Sequence, residues 1–194
     1  MRLLRFLLIL AFSSLLAAFD FLSPAGGQRP ATVPEAGAAN PEMARLARAL
    51  AGDWDTTEHM ERSEFFPNGG ERRGRAHVHL AAGGTTLVNE VHSDGSAGKL
   101  DGLVVIWWDP GAKTYRFFTC FNDPRRPCEV RGNAHWEGDE FINEYEEPVG
   151  GKTTKWRDTW IHIAPKGHTL IASMDAGNGT WRRLITSTAS RRRP

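Results

Sequence analysis

The sequence has almost no net charge: 24 Lys and Arg against 23 Asp and Glu leave a formal +1 over 194 residues. A chain so balanced has no overall field to draw nucleic acid or an anionic membrane toward it. Its one run of like charge, Arg191-Arg192-Arg193, reads as a solvated end. Cysteine is scarce as well. With two Cys, no second pair and no Cys-x-x-Cys, neither a thiolate zinc site nor a dithiol redox centre is supported. Gly-x-Ser-x-Gly, a phosphate-cradling Gly loop and Gly-x-Gly-x-x-Gly are all missing, which leaves hydrolase, NTPase and dinucleotide-binding classes without a motif. Between Trp54 and Thr188 no gap is long enough for a helical crossover, and no internal repeat argues for propeller blades or a solenoid.

What the chain does have begins at its N-terminus. Arg2 and Arg5 form a short basic region, Phe6 to Phe19 is almost wholly apolar, and small residues follow at Ala17-Ala18 and Ser23-Pro24-Ala25. That is the layout of a secretory signal peptide, cleaved near Ala18 or Ala25. The apolar stretch is short for a bilayer span and no Cys stands nearby for lipid attachment, so no stable membrane anchor is expected after cleavage. The expected organisation is a signal peptide over 1–25, a flexible Ala/Gly/Pro-rich linker over 26–40, and one barrel domain over 41–190.

Export gives the two cysteines a meaning. Cys120 and Cys128 flank Phe-Asn-Asp-Pro-Arg-Arg-Pro, a wide turn between two strands, where opposed positions meet disulfide distances and an oxidising compartment keeps the bond. A loop this small contributes roughly 2–3 kcal/mol by the chain-entropy estimate. The alternative is a pair of reduced thiols that never meet.

Asn40-Pro41-Glu42 marks a helix start, with Asn40 as cap and Pro41 in the first turn. Met43, Leu46, Ala47 and Leu50 then recur at helical spacing until Gly52. Beyond it, alternating runs predict strands near 53–63, 73–81, 85–93, 100–108, 114–121, 128–136, 140–147, 153–163, 168–175 and 180–188. Gly83-Gly84 and Gly138-Asp139 suit tight hairpin turns. Short turns force antiparallel neighbours, and so many strands hide their edges best by closing. The expected fold is all-β: an antiparallel up-and-down barrel of 8–10 strands with one short N-terminal helix.

Turn registers then assign faces. A two-residue turn at Gly138-Asp139 sets Trp136 opposite Phe141, Ala134 opposite Asn143 and Gly132 opposite Tyr145, while Arg131 meets Glu146 and Asn133 meets Glu144 on the other face. Charge pairs across a ladder fit the solvated side, so the aromatic set points inward. By the same logic Ala76, Val78, Leu80, Leu87, Asn89 and Val91 face in, as do Trp156, Asp158 and Trp160, and Trp54, Thr56, Glu58 and Met60. The predicted ligand-binding set is Trp54, Glu58, Asn89, Asn143, Tyr145, Trp156, Asp158 and Trp160, aromatics giving contact area and polar tips orienting one end. A filled core, with those polar groups bonded to backbone or buried water, is the plainer alternative.

Other constellations carry less. His77 and His79, with Glu90 and His92 across the hairpin, have metal-ligand spacing, but the register puts them on the outer face beside Arg75. Glu58 and Asp158 form a potential acid/base pair within the barrel. Arg183 beside Trp181 reads as an anion contact or a surface stack. No cofactor and no catalytic residue is assigned.

Leu50-Ala-Gly-Asp-Trp54, Gly102-Leu-Val-Val-Ile-Trp-Trp-Asp109 followed by Tyr115-Arg-Phe, and Arg131-Gly-Asn-Ala-His-Trp-Glu-Gly-Asp139 together resemble a bacterial family of lipocalin-like, calycin-type domains of unknown function. The resemblance covers roughly 41 to 188 and implies an eight- to ten-stranded barrel, often exported, with no reaction to carry over. Nitrobindin, a haem-binding barrel with a Gly-x-Trp opening, is a more distant resemblance. Asp55-Thr56-Thr57 departs from it, and Thr180 to Ser187 holds no axial His, with His162 and His168 only nearby. The expectation is therefore an exported (periplasmic or secreted), non-enzymatic barrel that binds a small hydrophobic or amphipathic molecule. The alternatives are an enzyme acting on a lipid-like or polyketide-like substrate in the same cavity, a metal or haem-binding barrel, and a solid module recognising partners through its loops.

Overall fold

A computed structural model describes residues 40–122, 128, 130–149 and 152–193. The expected signal peptide, the linker up to residue 39 and the turn at 123–127 lie outside the described residues. One helix, α1 (Pro41–Leu50), precedes ten strands: β1 (Gly52–Met60), β2 (Gly70–Ala81), β3 (Thr86–Asp94), β4 (Leu100–Asp109), β5 (Thr114–Phe121), β6 (Val130–Glu137), β7 (Glu140–Val149), β8 (Lys152–Ala164), β9 (Gly167–Gly177) and β10 (Thr180–Arg191). Each strand pairs antiparallel with its sequence neighbours, and β1 pairs with β10, which closes the barrel.

The hairpin registers follow the turns. Trp136 faces Phe141, Ala134 faces Asn143 and Gly132 faces Tyr145 across β6 and β7. Val78 faces Asn89 and Leu80 faces Leu87 across β2 and β3. The connection there is a short 3₁₀ turn, Ala82–Gly84, with Gly83 at φ 67°, where a glycine avoids a Cβ clash. In β1, burial alternates strictly: Trp54, Thr56, Glu58 and Met60 are buried while Asp53, Asp55, Thr57 and His59 are exposed. That period of two is the signature of a strand with one wet face.

Helix α1 starts as the sequence predicts, with the Asn40 carboxamide oxygen accepting from the Glu42 amide at 2.9 Å. It ends one residue before the predicted stop, because Ala51 is already extended. Met43, Leu46 and Leu50 are buried with Trp54, Leu87, Ile106, Phe117, Phe141 and Trp160 in one cluster, so the helix stops the barrel at the end where β1 begins. Polar contacts lock it there. The Tyr115 hydroxyl bonds the Glu42 carboxylate at 2.8 Å, Trp54 Nε1 donates to the Leu50 carbonyl at 2.9 Å, and Arg45 lies over the Trp136 ring at 4.2 Å.

Two expectations need correction and one is refined. The first strand ends at Met60 rather than near residue 63, because the Ser63 N–H donates to the Phe66 carbonyl, the Phe66 N–H donates to the Ser63 hydroxyl oxygen, and Gly69 and Gly70 take positive φ, turning the chain over the barrel mouth. Arg191, Arg192 and Arg193 are exposed, as expected of a solvated end, but Arg191 is also anchored. It belongs to β10, lies 4.2 Å over the Trp54 ring, and bonds the carbonyls of Pro165 (2.6 Å) and Ala51 (3.1 Å). Arg183 does not stack on Trp181; Arg157 does, at 4.4 Å on the outside, and Arg183 is exposed beside a bulge in β10. Cys120 and Cys128 form a disulfide.

Candidate functional site

Because β1 runs from the helix end toward the 61–69 loop, its inward side chains sample the barrel in depth. Trp54 belongs to the packed cluster under α1, Thr56 comes next, and Glu58 lies farthest from the helix of the three, facing open space. Strand β7 repeats the sequence of layers with Phe141 packed, Asn143 buried and Tyr145 at the opening. The barrel is therefore filled at one end and hollow at the other.

The hollow measures about 510 Å³, within the range of small-molecule sites. Leu170, Ala172, Ile185, Phe121 and Leu100 supply its apolar wall, and Glu58, Arg72, Tyr145, Asp158 and Ser187 its polar one. Phe65, Phe66, Pro67 and Asn68 of the β1–β2 loop roof it, with Ser96, Ala97 and Lys99 at the rim. The roof is held in part by Phe65, which meets Trp156 edge to face at 5.2 Å, and by Glu64, both of whose carboxylate oxygens accept from Arg182 at 2.7 Å. The Arg182 guanidinium, followed by a backbone hydrogen bond, holds the Glu64 carboxyl below its usual range.

Inside, Arg72 Nε donates to Glu58 Oε2 at 2.7 Å, with both side chains 8% exposed. Taking two charges into a barrel is costly unless they meet each other, which this pair does. The Tyr145 hydroxyl stands 3.5 Å from Asp158 and its ring stacks parallel to Trp156. Between hollow and plug lies a layer of polar atoms that make no protein hydrogen bond: Thr56 Oγ1, Asn89 Oδ1 and Asn143 Oδ1. Buried polar groups of this kind take a water or a ligand atom.

The eight predicted site residues thus separate. Glu58, Tyr145 and Asp158 line the hollow. Trp156 stands behind Phe65 and Tyr145, while Asn89 and Asn143 sit in the layer below. Trp54 and Trp160 are core residues beneath the helix. Sequence reasoning missed Arg72, Phe65, Phe66 and Ile185. Arg72 was recoverable, because it has the same parity as Ala76 and Val78, all inward. The loop phenylalanines carried no periodic signal.

On the outer surface, His77 bonds Asp53 at 2.7 Å and stacks on His79, and His92 bonds Asp101 at 2.9 Å; Glu90 is exposed. Among the described residues no group of three or more His, Cys, Asp or Glu is arranged to hold a metal. His168 points inward against Trp54 at 4.6 Å, at the plugged end, and His162 sits exposed in a bulge at φ 52°. Burial first, and the Arg191 charge second, lower the His168 pKa to about 4.

No family model matches the chain, and no curated protein matches it significantly. Among solved structures it is similar to the S-type phycobiliprotein lyase of Guillardia theta, with a TM-score of 0.53 and 9% identity over 78% of this chain and 93% of the other. No finding ties the chain to the domain family of unknown function or to nitrobindin. At that identity the likeness carries the fold alone, and the fold is a lipocalin-like, ten-stranded closed barrel.

Proposed function

We propose that this protein is an exported, non-enzymatic lipocalin-like barrel that binds one small amphipathic molecule, its apolar body under the Phe65-Phe66 roof and its polar end toward Glu58, Arg72 and Tyr145. The observation that carries the reading is the half-filled barrel: a hollow of about 510 Å³ over a layer of polar atoms without protein partners. A barrel built only for stability gains by filling that space, since apolar voids and unsatisfied polar atoms both destabilise. The phycobiliprotein lyase named above shares the fold. Export is supported by the basic-then-apolar leader and by the Cys120–Cys128 disulfide, a bond that oxidising compartments preserve. No helix among the described residues is long and apolar enough to cross a membrane.

The test is displacement of an environment-sensitive anilinonaphthalene dye. The dye should bind one site with a Kd of order ~1–10 μM, and Ile185→Trp, which fills the hollow, should weaken it at least tenfold while the circular dichroism stays unchanged. Dye binding that ignores Ile185→Trp sinks the proposal. The Tyr145–Asp158 contact in the cavity wall favours one second reading, an enzyme acting on a lipid-like substrate. Turnover lost in Asp158→Asn, with dye binding retained, would replace the first reading with that one.

A further inference from the structure

Strand β4 breaks the alternation that organises its neighbours. Leu103 to Trp108 is apolar without interruption, the pattern of a strand covered on both faces. Val104, Ile106 and Trp108 belong to the core or pack on it. Leu103, Val105 and Trp107 therefore point outward, and the register extends the row: Val88 faces Val105, and Val105 faces Phe118. All five apolar side chains are half-buried, and none packs on the core cluster. The outer faces of β1 and β2 carry Asp53, Asp55, Arg73, Arg75, His77 and His79 instead.

We infer that this outer face of β3, β4 and β5 is the self-association surface of the protein, occupied by a second copy of the same chain. Charge complementarity selects that occupant. Glu90 flanks the apolar row on the β3 side, and Arg131, 5.9 Å over the Phe118 ring, flanks it on the β6 side. Both are exposed, and among the described residues neither makes an ion pair. A twofold axis parallel to the strands and midway between β4 and β5 lays β3 of one copy over β6 of the other. Each Glu90 then meets the other copy's Arg131, twice per dimer, as an isologous interface requires. The face from β3 to the flanking β6, at ~4.8 Å spacing over ~27 Å of strand, gives a flat footprint of ~520 Å² before side-chain relief, about two-thirds of the ~800 Å² per partner of a standard interface, in keeping with a reversible dimer. Apolar centre and charged rim is the usual anatomy of such a contact. The cavity opens at the strand ends rather than through this face, so dimerisation leaves the mouth free.

Sedimentation equilibrium of the purified protein over ~1–100 μM should show a monomer–dimer equilibrium. Val105→Lys should weaken it at least tenfold. Glu90→Arg and Arg131→Glu should each weaken it, and the two together should restore most of the loss. Both charge reversals fall on exposed positions, so they decide the matter even where Val105→Lys fails to fold. A chain that stays monomeric throughout, including one that uses this face to bind phosphatidylcholine vesicles, overturns the inference. So does a dimer indifferent to the reversals, or reversals whose losses merely add.

Discussion

His168 shows how one side chain couples the plugged end to pH. It is held between the Trp54 ring and the Arg191 charge, and its Nδ1 makes no hydrogen bond with the protein. Burial and the neighbouring cation both oppose the imidazolium, so the folded pKa falls to about 4 from 6.5. A depressed histidine pKa means that the unfolded chain takes up a proton which the folded protein refuses. Stability should therefore decline as pH falls from 6.5 to 4, by roughly 2–4 kcal/mol, with no further change from this group below or above that window. Urea titrations of the wild type and His168→Gln at several pH values would measure it, and the difference between their curves should flatten outside the window. Arg191→Ala removes the second cause while leaving burial, so the decline should persist with a smaller amplitude. An unchanged pH profile in His168→Gln would assign the slope to the carboxylates instead.

At the scale of elements, the helix is what divides the barrel into a filled and an open end. Leu46 is fully buried within the cluster that α1 shares with the strands. Leu46→Ala should cost about 2–5 kcal/mol, measured by urea unfolding, with anilinonaphthalene binding at the distant hollow retained. If dye binding disappears at the same time, the two ends are not independent. The strands and their faces were legible because the signals that set them are local: turn glycines fix the register, and the register fixes which side chains alternate inward. Trp136 against Phe141 and Val78 against Asn89 follow from counting outward from two turns. What was not legible depends on contacts distant in sequence. Arg191 stacks on Trp54 because β10 closes on β1, and nothing local to the Arg-rich tail records that pairing. Trp54 and Trp160 have the inward parity of ligand contacts, yet depth along the barrel axis makes them core, and parity carries no information about depth. The roof phenylalanines follow no period at all, since a loop is placed by its own hydrogen bonds and by the Glu64–Arg182 pair.

For the whole molecule, the decisive feature is an ion pair inside a hollow. Glu58 and Arg72 stand in the same antiparallel register, Cα opposite Cα on β1 and β2, so the closed barrel forces both charges into its interior. Each alone would be an uncompensated charge against apolar walls, whereas together they satisfy one another at 2.7 Å. Removing one partner of a buried pair typically costs ~3–5 kcal/mol, while replacing both with apolar residues of similar size is often neutral or stabilising. Access of water to the hollow reduces the first figure, so Arg72→Met or Glu58→Leu should each cost about 2–4 kcal/mol in urea unfolding. The double variant should return to within about 1 kcal/mol of the wild type. The pair then contributes little net stability, and its polar atoms remain in the hollow to orient a ligand. The same double variant should hold an uncharged apolar dye more tightly than the wild type and lose its preference for dyes that carry a polar head. Additive losses in the double variant would mean that the two charges act separately, and unchanged dye selectivity would remove them from the binding site.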